Sequence, residues 1–160
     1  MEQIIATVRG LHGALVVVAE PGGDLPEPVW GDAFFYYAPD GRIPGRTQPY
    51  GTIVTKNLPG DEASDLDAAD RWRVNVHVDR ATFRELTGEE PRDLKRRRDF
   101  TVADRVLPHP VYGAQSWVCV VRPGERTGDT VVRLLRAAHD AARARSGRRD
   151  ERGSTPGTTA

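Results

Sequence analysis

The sequence predicts an α+β protein: a mostly antiparallel sheet of about five strands, a usual sheet size, with an N-terminal helix and C-terminal helices packed on one side. The clearest strand runs from Trp72 to Val78, where Trp72, Val74, Val76 and Val78 alternate with Arg73, Asn75 and His77. Strand-like runs follow one another through short turns rather than crossover helices, which favours antiparallel pairing. A stripe of Val131, Leu134, Leu135, Ala138, Ala141 and Ala142 then marks a helix near the C-terminus.

The elements read in order as follows. Ile4, Ile5, Val8 and Leu11 sit at near-helical spacing, and Gly10 or Gly13 stops the helix. Leu15–Val18 is a β-branched run of buried-strand type. Val29–Tyr37 is an aromatic strand, with Phe35 and Tyr37 expected on one face and Phe34 and Tyr36 on the other. Gly51–Lys56 is a further strand, closed by Pro59-Gly60-Asp61, and the acidic stretch up to Asp70 is a loop or loose helix. Arg80–Leu86 is a helix ended by Gly88. Asp93–Val106 is basic and has two readings, coil or a second helix, while Leu107-Pro108-His109-Pro110 must be extended or turned around its prolines. Ser116–Val121 is the last strand and Thr130–Ala144 the last helix. One domain over residues 1–145 is expected, followed by a disordered Arg/Gly/Thr-rich tail over 146–160.

A chain of 160 residues can bury a core without disulfides or structural metal. Its lone cysteine, Cys119, fits a reducing compartment, and the early acid at Glu2 does not suit a secretory leader. A cytoplasmic location, with no membrane contact, is the expectation. Lys and Arg number 23, as do Asp and Glu, so no global basic field argues for nucleic acid. Charge is nevertheless polarised along the chain, with acids early and arginines late.

Four strings stand out: Trp30-Gly31-Asp32-Ala33-Phe34-Phe35-Tyr36-Tyr37, Thr52-Ile53-Val54-Thr55-Lys56, Arg73-Val74-Asn75-Val76, and His109-Pro110-Val111-Tyr112-Gly113 with Trp117 after it. Together, over roughly residues 2–145, they resemble an uncharacterised actinobacterial domain-of-unknown-function family. The layout is similar to the MmcQ/YjbR-like fold, whose members are often labelled DNA-binding on architecture. The resemblance implies a fold and transfers no catalytic residue, since fold does not fix function.

The polar residues nearest these strings are Asp32, Lys56, Asn75, His109 and Tyr112. Gathered at one end of the sheet with Trp30 and Tyr37, they would bind a small polar ligand. Each also has a plain structural role available: Asp32 as a turn cap, Asn75 as a loop tie, Tyr112 as a backbone partner. The leading reading is a non-catalytic binding module for such a ligand or for a protein partner, a homodimer through an exposed aromatic strand edge included. One alternative is nucleic-acid binding through Lys95, Arg96, Arg97 and Arg98 with the last helix. The other is an enzyme with His109 as general base, helped by Tyr112 or Asp32, although no partner for His109 is visible in the sequence. His12, His77, His109 and His139 are scattered without metal-ligand spacing, and His77 and His139 read as solvated. Cys119 alternates with valines and reads as a small buried hydrophobe. Phosphate loops and nucleophile elbows are not found, so neither a metal nor a cofactor is expected.

Overall fold

The computed structural model describes residues 1–153, with side chains as far as Arg149. Helix α1 (Glu2–Arg9) leads into β1 (Ala14–Val18), β2 (Ala33–Tyr37), β3 (Gly51–Val54) and β4 (Arg73–His77). Helix α2 (Arg80–Thr87), the short β5 (Leu107–Pro108), β6 (Trp117–Val121) and α3 (Gly128–Gly153) follow. Six strands form one sheet in the order β1-β2-β3-β4-β6-β5, and every neighbouring pair is antiparallel. The expected class holds, with one more strand than foreseen: two-residue β5, too short to read from periodicity. The aromatic strand β2 lies between β1 and β3, so its edge is already paired. An exposed aromatic edge for dimerisation is therefore corrected; the outer strands are β1 and β5.

All three helices cover one face. Its rows are Ala33–Ile53–Val74–Val120 and Phe35–Gly51–Val76–Val118, aligned by register across four strands. Ile4, Ile5 and Val8 from α1, Phe83 from α2, and Val131, Leu134, Leu135 and Ala138 from α3 close over them. Gly51 is needed there: a Cβ on it would meet Leu135 Cδ2 at 2.8 Å and Phe35 Cδ2 at 3.1 Å. Helix α2 begins on Asp79, whose side chain accepts the Thr82 N–H, and ends on Gly88 at φ +73°, a left-handed conformation natural to glycine.

The start of α3 is fixed from a distant loop. Asp104 accepts the N–H groups of Gly124, Arg126 and Thr127 and the Thr127 hydroxyl. Those bonds, led by the Thr127 hydroxyl, hold its carboxyl down to about 2. The helix then runs to Gly153, further than its apolar stripe indicates. Residues 146–153 continue this helix, and residues 154–160 of the expected tail lie outside the described residues.

Residues 93–106 contain no helix, which settles the two readings of that stretch in favour of coil. His139 is also corrected. It is 4% exposed, with Nδ1 3.1 Å from the Tyr50 hydroxyl and Nε2 3.0 Å from the His12 carbonyl. The helix side that bears it faces the sheet, not solvent.

A candidate polar-floored cleft

The second face of the sheet carries the site. It presents Phe34 from β2, Thr52 and Val54 from β3, Arg73 and Asn75 from β4, and Trp117, Cys119 and Val121 from β6. Register makes Phe34–Thr52–Asn75–Cys119 one row across the strands. Simple alternation predicts a solvated polar side for β4, yet Arg73 is 0% exposed and Asn75 3%. The loop between β3 and β4 folds back over part of this face and seals it with Leu66 against Val54 and Val121. The rest stays open as a cleft of about 550 Å³.

Arg73 organises the floor. Its Nε donates to Asn75 Oδ1 (2.8 Å), and Nη1 donates to Asp61 Oδ1 (2.9 Å) and Ser64 Oγ (3.0 Å). Nη2 reaches Asp61 Oδ2 and lies 3.0 Å from His109 Nε2. A planar guanidinium suits this fork, since a carboxylate takes two parallel bonds from it. Burial alone would raise the Asp61 carboxyl, but the hydrogen bonds and charge of Arg73 bring it below its ordinary value. Asn75 passes the network to solvent: its Nδ2 donates to Thr52 Oγ1 (3.0 Å), leaving the threonine O–H free to donate into the cleft.

His109 closes one side. Its Nδ1 accepts the N–H groups of Val111 (3.1 Å) and Tyr112 (3.0 Å), and its Nε2 faces Arg73, with Asp61 Oδ2 at 3.8 Å. Burial and then the Arg73 charge push it down to about 3, against the opposing pull of Asp61. The imidazole is therefore neutral at pH 7, and donors address both of its nitrogens although it has one lone pair to offer. The Tyr112 ring leans on it, with centroids 5.0 Å apart, and Tyr112 and Val111 are 53% and 43% exposed at the rim. The prolines flanking His109 account for the rigid approach of this loop. Trp117, edge-on to His77 at 5.7 Å, and Phe34 complete the apolar walls.

Of the seven residues singled out from sequence, the fold brings Asn75, His109 and Tyr112 together in this cleft. Trp30, Asp32 and Lys56 form a separate cluster where β2 begins. Asp32 Oδ1 accepts the N–H and hydroxyl of Thr55 (2.8 and 2.9 Å), Lys56 Nζ donates to the Trp30 carbonyl, and Trp30 Nε1 donates to the Leu25 carbonyl (3.0 Å). Burial raises the Asp32 carboxyl, and its Oδ2 has no partner among the described residues. Tyr37 lines a different groove, beside α3. Arg73, Asp61 and Ser64 are the residues that sequence reasoning missed; Arg73 shares the polar side of the β4 alternation with Asn75 and His77, and nothing in that alternation marks it as buried.

The basic run is less cationic than its four letters suggest. Glu89 pairs with Arg98 and accepts the backbone N–H groups of Lys95 and Arg96. These contacts overcome burial and hold Glu89 at about 2. Lys95 pairs with Asp93 at 3.1 Å. Cys119 is buried, its thiol raised to about 12 by burial and set 3.7 Å from the Pro108 carbonyl. Among the described residues, no group of His, Cys, Asp and Glu gathers to hold a metal ion, and no helix is long and apolar enough to cross a membrane.

Fold and cleft together define an α+β protein with an open antiparallel sheet, helices on one face and a polar-floored cleft on the other. The chain belongs to a family of unknown function, DUF6194, whose family model matches residues 1–151. Comparison with curated proteins and with solved structures finds no match.

Proposed function

We propose that this protein is a non-catalytic binding module that takes a small, flat, polar molecule into the cleft on the second face of the sheet. The observation that carries the reading is the division of labour in that cleft: a dry floor whose opposite charges are paired, beneath the free Thr52 hydroxyl and aromatic walls. Arg73 and Asp61 neutralise each other, so the cleft offers hydrogen bonds rather than net charge. The Thr52 hydroxyl calls for an acceptor, and Phe34, Trp117 and Tyr112 offer surfaces for a planar ring. A volume of about 550 Å³ suits a small molecule. His109 supports binding over catalysis, because an imidazole held down to about 3 is a poor proton acceptor near neutral pH. A cytoplasmic location belongs to the same reading, supported by the lone buried thiol, as does a MmcQ/YjbR-like layout, supported by the helix–sheet–helix order; an actinobacterial source rests on the resemblance of the four strings alone.

The test is a two-dimensional ¹⁵N–¹H NMR titration with nicotinamide and with uracil, two flat amide-bearing rings. Shifts at the Trp117 indole N–H and the Asn75 side-chain amide are expected, and Thr52→Val should weaken binding while leaving the spectrum folded. Binding that moves only residues outside the cleft, or that ignores Thr52→Val, would overturn the assignment.

A further inference from the structure

A second groove, away from the cleft, lies between the β2–β3 connection and the last helix. It has a volume of about 520 Å³ and is lined by Arg42, Arg145 and Arg149 among its charged residues, with Asp40 as the single carboxylate. The positions of these groups follow from the fold. Arg145 and Arg149 are four residues apart on α3 and so share a face. Arg149 Nη1 donates to Thr47 Oγ1 at 2.8 Å, which ties the helix to the connecting loop. Asp40 is partly occupied, since its Oδ1 accepts the Arg42 N–H at 3.1 Å.

No ion pair holds Arg42, Arg145 or Arg149 among the described residues. Arg145 is also drawn out of water, and its acidity is increased by that burial and by the neighbouring Arg149 and Arg148 charges. Clustered cations that raise one another's energy are relieved by an anion, and guanidinium forks match phosphate oxygens. The aromatic element is Tyr37. Tyr37 is edge-on to the buried His139, with centroids 5.5 Å apart, and Gly13 gives it room, because a Cβ there would sit 2.7 Å from Tyr37 Cε2.

We propose that this groove binds a small organic phosphate, its phosphoryl group held by Arg42, Arg145 and Arg149 and its ring body laid against Tyr37. The volume fits a molecule of mononucleotide size. The site is independent of the cleft: its lining is charged where the cleft is neutral, and only Gln48 lines both.

The experiment is isothermal titration of the full chain at low salt with adenosine monophosphate, adenosine and inorganic phosphate, beside fluorescence anisotropy with labelled duplex DNA. Adenosine monophosphate should bind, adenosine should not, and inorganic phosphate should compete. Arg145→Ala and Arg149→Ala should each weaken binding about tenfold, the loss of one charge-assisted contact, with unchanged circular dichroism. Arg149→Lys, which keeps the charge but loses the fork, should fall between. Absence of binding by both phosphates would overturn the proposal, as would equal affinity for adenosine. Salt-sensitive binding of DNA without binding of the monophosphate would assign the arginines to a polynucleotide backbone instead and overturn it too.

Discussion

The Arg73–Asp61 pair offers the sharpest test of how the second sheet face is built. Asp61→Ala deletes the only carboxylate among the described residues that is bonded to the Arg73 guanidinium, itself 0% exposed. Asn75, Ser64 and His109 remain as partners, and all three are neutral. Stripping the counter-charge from a buried ion costs about 3–5 kcal/mol. The Asp61 side chain is 15% exposed, so water can follow it out, and the lower end, about 3 kcal/mol, is expected. For a domain of this size that is a fall of about 6–12 °C in melting temperature. The informative comparison is Arg73→Met with Asp61→Leu, which removes both charges at once. Replacing a buried pair by apolar side chains is close to neutral, although Asn75 and Ser64 then each lose a donor, a cost of about 1 kcal/mol apiece. The double variant should therefore be more stable than Asp61→Ala alone. Urea unfolding at pH 7, followed by circular dichroism, measures both. A loss under about 1 kcal/mol for Asp61→Ala, or a double variant at least as destabilised as the single, would refute the idea that Arg73 is a dry charge held by one carboxylate.

Acid should act through His109. Its folded value near 3 lies below the ordinary 6.5, so between those limits the unfolded chain binds the extra proton and stability falls as pH drops. Denaturant midpoints should decline across that window, and His109→Asn should flatten the decline; a slope unchanged by the substitution would count against a buried neutral imidazole. His139→Ala should cost about 2–3 kcal/mol, from a cavity and a Tyr50 hydroxyl left without its partner; adding Tyr50→Phe to it should cost little more, as read by thermal melts. Gly51→Ala should cost about 1–3 kcal/mol by overpacking against Leu135 and Phe35, and chemical denaturation would show its failure as an unchanged midpoint.

Regular elements were legible in the sequence because their patterns are local. Valine alternation in β4, the Gly88 stop of α2, and the Val131–Ala142 stripe of α3 each belong to a few consecutive residues. The candidate site was legible only in part, for the opposite reason. Asn75, His109 and Tyr112 meet because β4 and the 109–112 loop are brought side by side across β6, and Asp61 arrives from a loop that reads only as acidic turn chemistry. Trp30, Asp32 and Lys56 border the same aromatic strings but lie apart from the cleft, where their hydrogen bonds tie the start of β2 to the end of β3. No periodicity distinguishes a charge that faces water from one that faces another charge beneath a loop. Arg73 looked like a solvated residue for that reason, and His139 did as well.

The two faces of the sheet therefore answer to different constraints. The helix-covered face is apolar and close-packed, so its residues are fixed by volume, as Gly51 under Leu135 illustrates. The other face holds a charged network that could be replaced by apolar residues at little energetic cost. Stability alone does not call for a buried arginine beneath an open cleft. What the network does achieve is orientation: Arg73 fixes the Asn75 carbonyl, which turns the Asn75 amide toward Thr52, which in turn leaves the threonine O–H to the cleft. An apolar floor of equal stability would present no such ordered donor. The Arg73→Met, Asp61→Leu variant separates these roles, since it should remain folded yet lose affinity for any ligand that depends on the ordered Thr52 hydroxyl. Retained affinity in that variant would mean that the network serves packing and not recognition.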